Sequence, residues 1–175
     1  MESQTTPRTI TPQQKQRIED ALRAAPAQMT LVLARQLGVP EVEIVRALPA
    51  DRAVELDIDR WEELFRAFQD RGDLHVIVSN GAVTCEVVGR FGGFSIWGEF
   101  FNVQTPSLDL HIRSAQLAAV FAVEKPSHVS GLNTQSFQFF DREGAAALKV
   151  FFNFGGEATP EQVAEFDRLR QEFKK

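Results

Sequence analysis

Between Thr11 and Gly72 apolar residues recur three or four positions apart, and after Gly72 they recur at every second position. The first pattern predicts helices. Thr11-Pro12-Gln13-Gln14 is a capping box with proline at the first helical position, opening a helix to about Ala25. Thr30 is placed to cap a short helix, Leu31 to Leu37, which Gly38 stops. Pro40 starts another that runs to Leu48 and ends at Pro49. Asp59-Arg60-Trp61-Glu62 is a further capping signal, and Trp61, Leu64, Phe65 and Phe68 follow it at helical spacing.

The second pattern predicts strands. Leu74, Val76 and Val78 alternate with His75, Ile77 and Ser79, and Asn80-Gly81 predicts a two-residue hairpin turn. The return strand carries Val83, Cys85 and Val87 on one face. Phe91-Gly92-Gly93-Phe94 reads as a bend or bulge, Ser95 to Val103 as one strand, and Thr105-Pro106 as a turn. Leu108 to Arg113 and Gln116 to Glu124 follow as short strands. Thr134 to Phe140 and Ala145 to Asn153 form a second hairpin around Asp141-Arg142-Glu143-Gly144. Thr159-Pro160-Glu161-Gln162 is a third capping box, opening a helix with Val163, Phe166 and Leu169 on one face.

Helices, then seven or more antiparallel strands, then a helix predict a segregated α+β fold. The expected organisation is one domain over 1–175, with a helical part at 1–72, an antiparallel sheet at 73–153 and a C-terminal helix at 159–174. No helices alternate with the strands, so parallel α/β folds are excluded. A chain of this length can bury a core without metal or disulfide staples.

Composition narrows the function classes. The chain has a single cysteine, Cys85, which rules out an internal disulfide framework and fits a reducing compartment. Met1 to Ile10 is polar and has no secretory character, and no stretch approaches a membrane span. A cytoplasmic location without membrane insertion is expected. The net charge of −5 argues against a nucleic-acid partner. Fifteen Phe, two Trp and no Tyr give an aromatic inventory without a hydroxyl. That suits a Phe-packed core, or else a pocket for a large flat apolar ligand.

The helix pair around Gly38 has the outline of a helix-turn-helix, but its second helix begins Glu41-Val42-Glu43, which repels DNA; packing or dimerisation is the better role. Gly89-Arg90-Phe91-Gly92-Gly93 and Gly155-Gly156 do not match a phosphate loop. No serine sits in a nucleophile elbow, and Cys85 among valines reads as an inert core thiol. Three histidines and one cysteine are scattered without zinc-ligand spacing. His111 stands apart. In Leu108-Asp109-Leu110-His111-Ile112-Arg113 the apolar residues face one side, and Asp109, His111 and Arg113 face the other, about 6.6 Å of rise apart. An imidazole and a guanidinium on one sheet face suit a haem, with histidine to iron and arginine to a propionate. The plainer alternative is a solvent-facing polar strand. His75 shares a face with Ser79, and His128 lies in a Pro-Ser-His loop, where each reads alone as a surface histidine.

Several strings in order carry a resemblance. They are Glu43-Ile44-Val45-Arg46-Ala47-Leu48-Pro49, Trp61, Phe100-Phe101-Asn102-Val103, Leu110-His111-Ile112-Arg113, Phe139-Phe140-Asp141-Arg142-Glu143-Gly144 and Ala147-Leu148-Lys149-Val150-Phe151. Over roughly residues 28 to 155 the chain resembles the bacterial haem-utilisation cytosolic carrier family of the HutX/ChuX type. The resemblance implies a split-barrel-like homodimer, haem bound against a sheet face as cargo, and exchange with haem donor or acceptor proteins. It makes His111 a haem-binding residue and iron ligand, with Arg113 beside it. A second family histidine falls on Ser79, and serine is a poor iron ligand. His75, about 13 Å of strand rise away on the same face, is the available substitute. Gln104-Thr105-Pro106-Ser107 lacks the family's basic and histidine-rich character. The implied function is a non-catalytic haem carrier. The alternatives are haem degradation, as in larger relatives with a doubled sheet, or an interaction module of the same fold that binds no haem.

Overall fold

The computed structural model describes residues 10–175; all of the polar stretch Met1 to Ile10 except Ile10 lies outside the described residues. The first capping box forms as the sequence predicts. The Thr11 hydroxyl accepts from the Gln14 amide at 3.2 Å, the Gln14 side chain accepts from the Thr11 amide at 2.9 Å, and α1 runs Pro12–Ala24. α2 (Thr30–Leu37) ends on Gly38 at φ 66°, the left-handed conformation that glycine adopts without strain. Thr30 does not cap it. That residue lies inside the first turn and its hydroxyl donates to the Glu41 carboxylate at 2.6 Å, leaving Met29 at the cap without a side-chain bond. α3 (Glu41–Arg46) is shorter than expected.

The helical region also contains a strand that its sequence does not announce. β1 (Ala53–Leu56) is only four residues long and is recruited by antiparallel pairing with a later strand. The next helix starts through Asp57, not Asp59. The Asp57 carboxylate accepts from the Asp59 amide at 3.0 Å and begins a 3-10 turn, Ile58–Arg60, that leads into α4 (Trp61–Ala67).

β2 (Leu74–Ser79) and β3 (Thr84–Gly89) form the first hairpin, with Ser79 opposite Thr84. The connection is therefore the four residues 80–83 and not a two-residue turn. The Asn80 side chain explains it, because its Oδ1 accepts from the amides of both Ala82 and Val83 at 2.9 Å. Ser95 to Val103 is likewise a hairpin and not one strand: β4 (Ser95–Trp97) reverses through Gly98, at φ 59°, into β5 (Phe100–Gln104). β6 (Asp109–Arg113), β7 (Leu117–Pro126), β8 (Asn133–Asp141) and β9 (Ala146–Asn153) follow, and α5 (Pro160–Glu172) is opened by the capping box at Thr159.

All pairings are antiparallel. Six strands lie in the order β1-β7-β8-β9-β2-β3 and three in the order β4-β5-β6; the sheets do not close into a barrel. The α+β expectation holds, with nine strands among the described residues. The inner face of the large sheet carries Val76, Val120, Ala122, Phe137, Phe139, Leu148 and Val150, which pack against α4, α5 and the apolar face of the small sheet. Phe65 is at the centre of this core. Its ring lies 4.7 Å from that of Phe139, 5.8 Å from Phe91 and 5.9 Å from both Trp61 and Phe68. Most of the Phe content is therefore structural.

The outer face of the large sheet is only partly covered. Val42 and Val45 of α3 pack on Phe121, Val123 and Phe140, so the second helix of the helix-turn-helix outline faces the sheet. Two expected core positions are at the surface. Cys85 is exposed on the edge strand β3, beyond the layer that covers the inner face, and Val163 is exposed on α5. No helix among the described residues is long and apolar enough to cross a membrane.

Removing the Phe65 ring opens a void that five other aromatic rings line. Phe65→Ala is expected to lower the unfolding free energy by about 3–5 kcal/mol, read by chemical denaturation; a loss below 1 kcal/mol contradicts its central place in the core.

Candidate functional site

The open part of the outer face forms a cleft of ≈ 340 Å³ between the N-terminus of α2, strands β2, β3 and β9, and the loop after β7. The volume lies within the range of small-molecule sites. Ile77, Phe151, Phe154, Met29 and Leu31 give it apolar walls, and Ser79, Thr84 and Gln138 add hydroxyl and amide groups. The strand period puts these residues on one face: Ile77 lies opposite both Lys149 and Glu86, Gln138 opposite Lys149, and Ser79 opposite Thr84.

Lys149 and Lys125 bring positive charge into the cleft. The Lys149 ammonium donates to the Glu41 carboxylate at 2.6 Å and to the Thr30 hydroxyl at 3.1 Å; Glu41 is almost completely buried. A charge at this depth is tolerated only when paired. Among the described residues Lys125 has no carboxylate partner and donates instead to the carbonyls of Ala27 at 3.2 Å and Pro126 at 2.8 Å. Burial, and secondarily repulsion from Lys149, push the Lys125 ammonium down to about 8. Gln138 is buried and donates through Nε2 to the Ser136 hydroxyl at 3.1 Å, while its Oε1 has no partner among the described residues. A buried acceptor without a donor is costly unless something else supplies one.

The sequence-predicted residues divide between two places. His111 and Arg113 are brought together on the exposed face of the small sheet, in the alternation the sequence predicts. His111 lies opposite the buried Asn102, and its Nδ1 is 2.7 Å from Asn102 Oδ1. Asn102 Nδ2 in turn donates to the Ser95 hydroxyl at 3.1 Å, and His111 Nε2 lies 3.4 Å from an Asp109 oxygen. Arg113 lies 5.3 Å over the Phe100 ring and pairs with Glu99 at 3.2 Å.

His75 and Ser79 are on the outer face of the large sheet instead. Ser79 lines the cleft, but its hydroxyl is committed to the hairpin: it lies 2.9 Å from the Thr84 hydroxyl, donates to the Val83 carbonyl at 3.2 Å and accepts from the Gly81 amide at 3.1 Å. His75 is not among the lining residues. Its Nε2 lies 3.0 Å from Glu86, and its ring lies 3.8 Å from that of Phe154.

Sequence reasoning gave no role to Asn102, Lys125, Lys149 or Gln138, and read Glu41 only as repelling DNA and His128 only as a surface residue. A lysine inside the apolar run of β9, and Gln135, Ser136 and Gln138 on a central strand, are the visible signals of polar groups turned into an interior. Among the described residues no three His, Cys, Asp or Glu side chains gather as a metal cluster. A haem does not need one, because the porphyrin holds the iron and the protein adds one or two axial ligands. Apolar walls and the Lys125 ammonium, which has only carbonyl partners among the described residues, fit such a dicarboxylate macrocycle.

A family profile described as haem utilisation ChuX/HutX matches residues 54–169. The chain is 26% identical over 164 residues to the intracellular heme transport protein HutX of Vibrio cholerae, covering 91% of this chain and 84% of that protein. A solved structure from Agrobacterium tumefaciens is similar at 26% identity and TM-score 0.81, over 96% of this chain and 99% of the other. ChuS, described as an E. coli heme oxygenase, is similar at 25% identity and TM-score 0.72, over 93% of this chain but only 46% of its own.

Breaking the buried pair from one side is expected to be costly. Glu41→Ala should destabilise by about 3–5 kcal/mol, whereas the double change Glu41→Leu with Lys149→Met should recover most of that loss in denaturant unfolding. Additive effects of the two sites contradict the coupling.

Proposed function

We propose that this chain, which belongs to the haem utilisation ChuX/HutX family, is an intracellular haem-binding protein that carries haem as cargo to downstream use. The observation that carries this reading is the cleft itself, with apolar walls suited to a flat macrocycle and the Lys125 ammonium suited to a carboxylate. Apolar burial supplies much of the affinity, at roughly 25 cal/mol per Å² removed from water. Location in the cytoplasm and exchange with haem donor and acceptor proteins are part of the proposal.

His111 is the iron ligand of this proposal and Arg113 its propionate partner. His111 is outside the cleft of its own protomer, so the reading includes a homodimer in which the small sheet of one copy closes over the cleft of the other. Two features support it: Trp97 and Phe100 share the His111 face, and Trp97 is 80% exposed. Closure of a second copy gives that aromatic surface an apolar partner.

Haem degradation is the second reading, favoured by the likeness to one half of ChuS. It predicts loss of the Soret band and bile-pigment formation when the complex meets a reductant and oxygen. A carrier retains the band.

Titration of the purified protein with haemin is expected to shift the Soret band, and His111→Ala to alter the spectrum of the complex. No shift in the parent protein contradicts haem binding, and an unchanged spectrum in the variant contradicts the ligand assignment. Affinity should also depend on pH. Lys125 is lowered by burial, so it is charged below about 8 and neutral above. A propionate favours its charged form, so affinity falls as pH rises from 7 to 9.5, and Lys125→Met removes that fall. Equal pH profiles in the parent and the variant contradict the role of Lys125.

A further inference from the structure

We infer that His128 supplies the cleft's own axial ligand to haem iron, on the face of the porphyrin opposite His111. This inference rests on the haem reading above and deepens it, because it concerns which imidazole the cleft itself presents.

The chain has three histidines, and their environments separate them. His75 points its Nε2 at Glu86, 3.0 Å away, and stacks on Phe154, so its ring is held in place and it does not line the cleft. His111 is on the small sheet. His128 alone lines the cleft, and its ring makes no hydrogen bond or ion pair among the described residues. Neither hydroxyl at the β2–β3 end of the cleft is an alternative, since Ser79 and Thr84 are bonded to each other at 2.9 Å.

The loop that bears His128 is built to hold a position. Its ends are tied by the Ser127 amide donating to the Leu132 carbonyl at 2.8 Å, and the Gly131 amide donates back to the Ser127 carbonyl at 3.0 Å. The Ser127 hydroxyl also accepts from the Val129 amide at 3.1 Å, which pins the backbone on both sides of His128. Gly131 adopts φ 73°, the left-handed conformation that lets the loop close in so few residues. The loop leaves the sheet directly after Lys125 and Pro126, so the imidazole and the Lys125 ammonium, both in the cleft lining, come from one short segment. An imidazole beside a cation suits a ligand whose centre is a metal and whose rim is anionic.

Electron paramagnetic resonance and visible spectroscopy of the ferric haem complex test this, with His128→Ala and His128→Met compared with the parent and folding followed by far-ultraviolet circular dichroism. The parent complex is expected to be low-spin and six-coordinate. His128→Ala should convert it to a high-spin form and weaken haemin binding about tenfold or more. His128→Met should bind haemin but replace the bis-imidazole spectrum with that of a thioether ligand. A parent that binds haemin and an Ala variant with the same low-spin spectrum overturn the inference and leave the haem reading standing. A parent that binds no haemin overturns both.

Discussion

The buried pair of Glu41 and Lys149 is the interaction on which the shape of the candidate site depends. It joins the first residue of α3 to the middle of β9, and the Thr30 hydroxyl brings the first residue of α2 to the same point. The helical layer is thereby fixed over β7 and β8 while β2, β3 and β9 stay open, and the cleft is what remains uncovered. A hydrophobic replacement could hold the layers together as well or better, so the pair is better understood as fixing register than as supplying net stability.

The two faces of the large sheet divide the work. The inner face uses the chain's phenylalanines to build a core around Phe65, rigid enough to carry a polar outer face. The outer face spends that stability on groups a core would exclude: Lys125 pushed below its usual range, Gln138 with an unpartnered oxygen, and Ser136 beneath it. Perturbed and unsatisfied groups gathered in one concavity are where ligand binding is expected. The small sheet differs in presenting His111, whose Nδ1 is held by Asn102, itself bonded to Ser95.

How much of this was legible follows from how local each feature is. The capping boxes at Thr11 and Thr159, the stop at Gly38 and the alternation around His111 need only a few neighbouring residues, and all are present in the structure. β1 was invisible because four residues have no pattern of their own and depend on β7 for pairing. The first hairpin was misread because Asn80 uses its side chain, and not only its backbone, to shape the turn. Cys85 was placed in the core because alternation cannot say which strand ends up at an edge. The cleft was out of reach for the same reason. Its residues come from α2, α3, five strands and two loops, and only their assembly shows that Lys125, Lys149 and His128 line one cleft, that the Ser79 hydroxyl in it is taken by Thr84, and that His75 lies outside it.

If haem binds in the outer-face cleft, its porphyrin ring shifts the side chains that line it. Nuclear magnetic resonance of the side-chain-labelled protein with gallium protoporphyrin, a diamagnetic stand-in for haem, reads those shifts. The largest side-chain shifts on addition are expected on Ile77, Gln138, Lys149 and Phe151, with the inner-face side chains of Phe137 and Val150 little changed. Saturable binding that leaves those four side chains unmoved contradicts haem binding in the cleft.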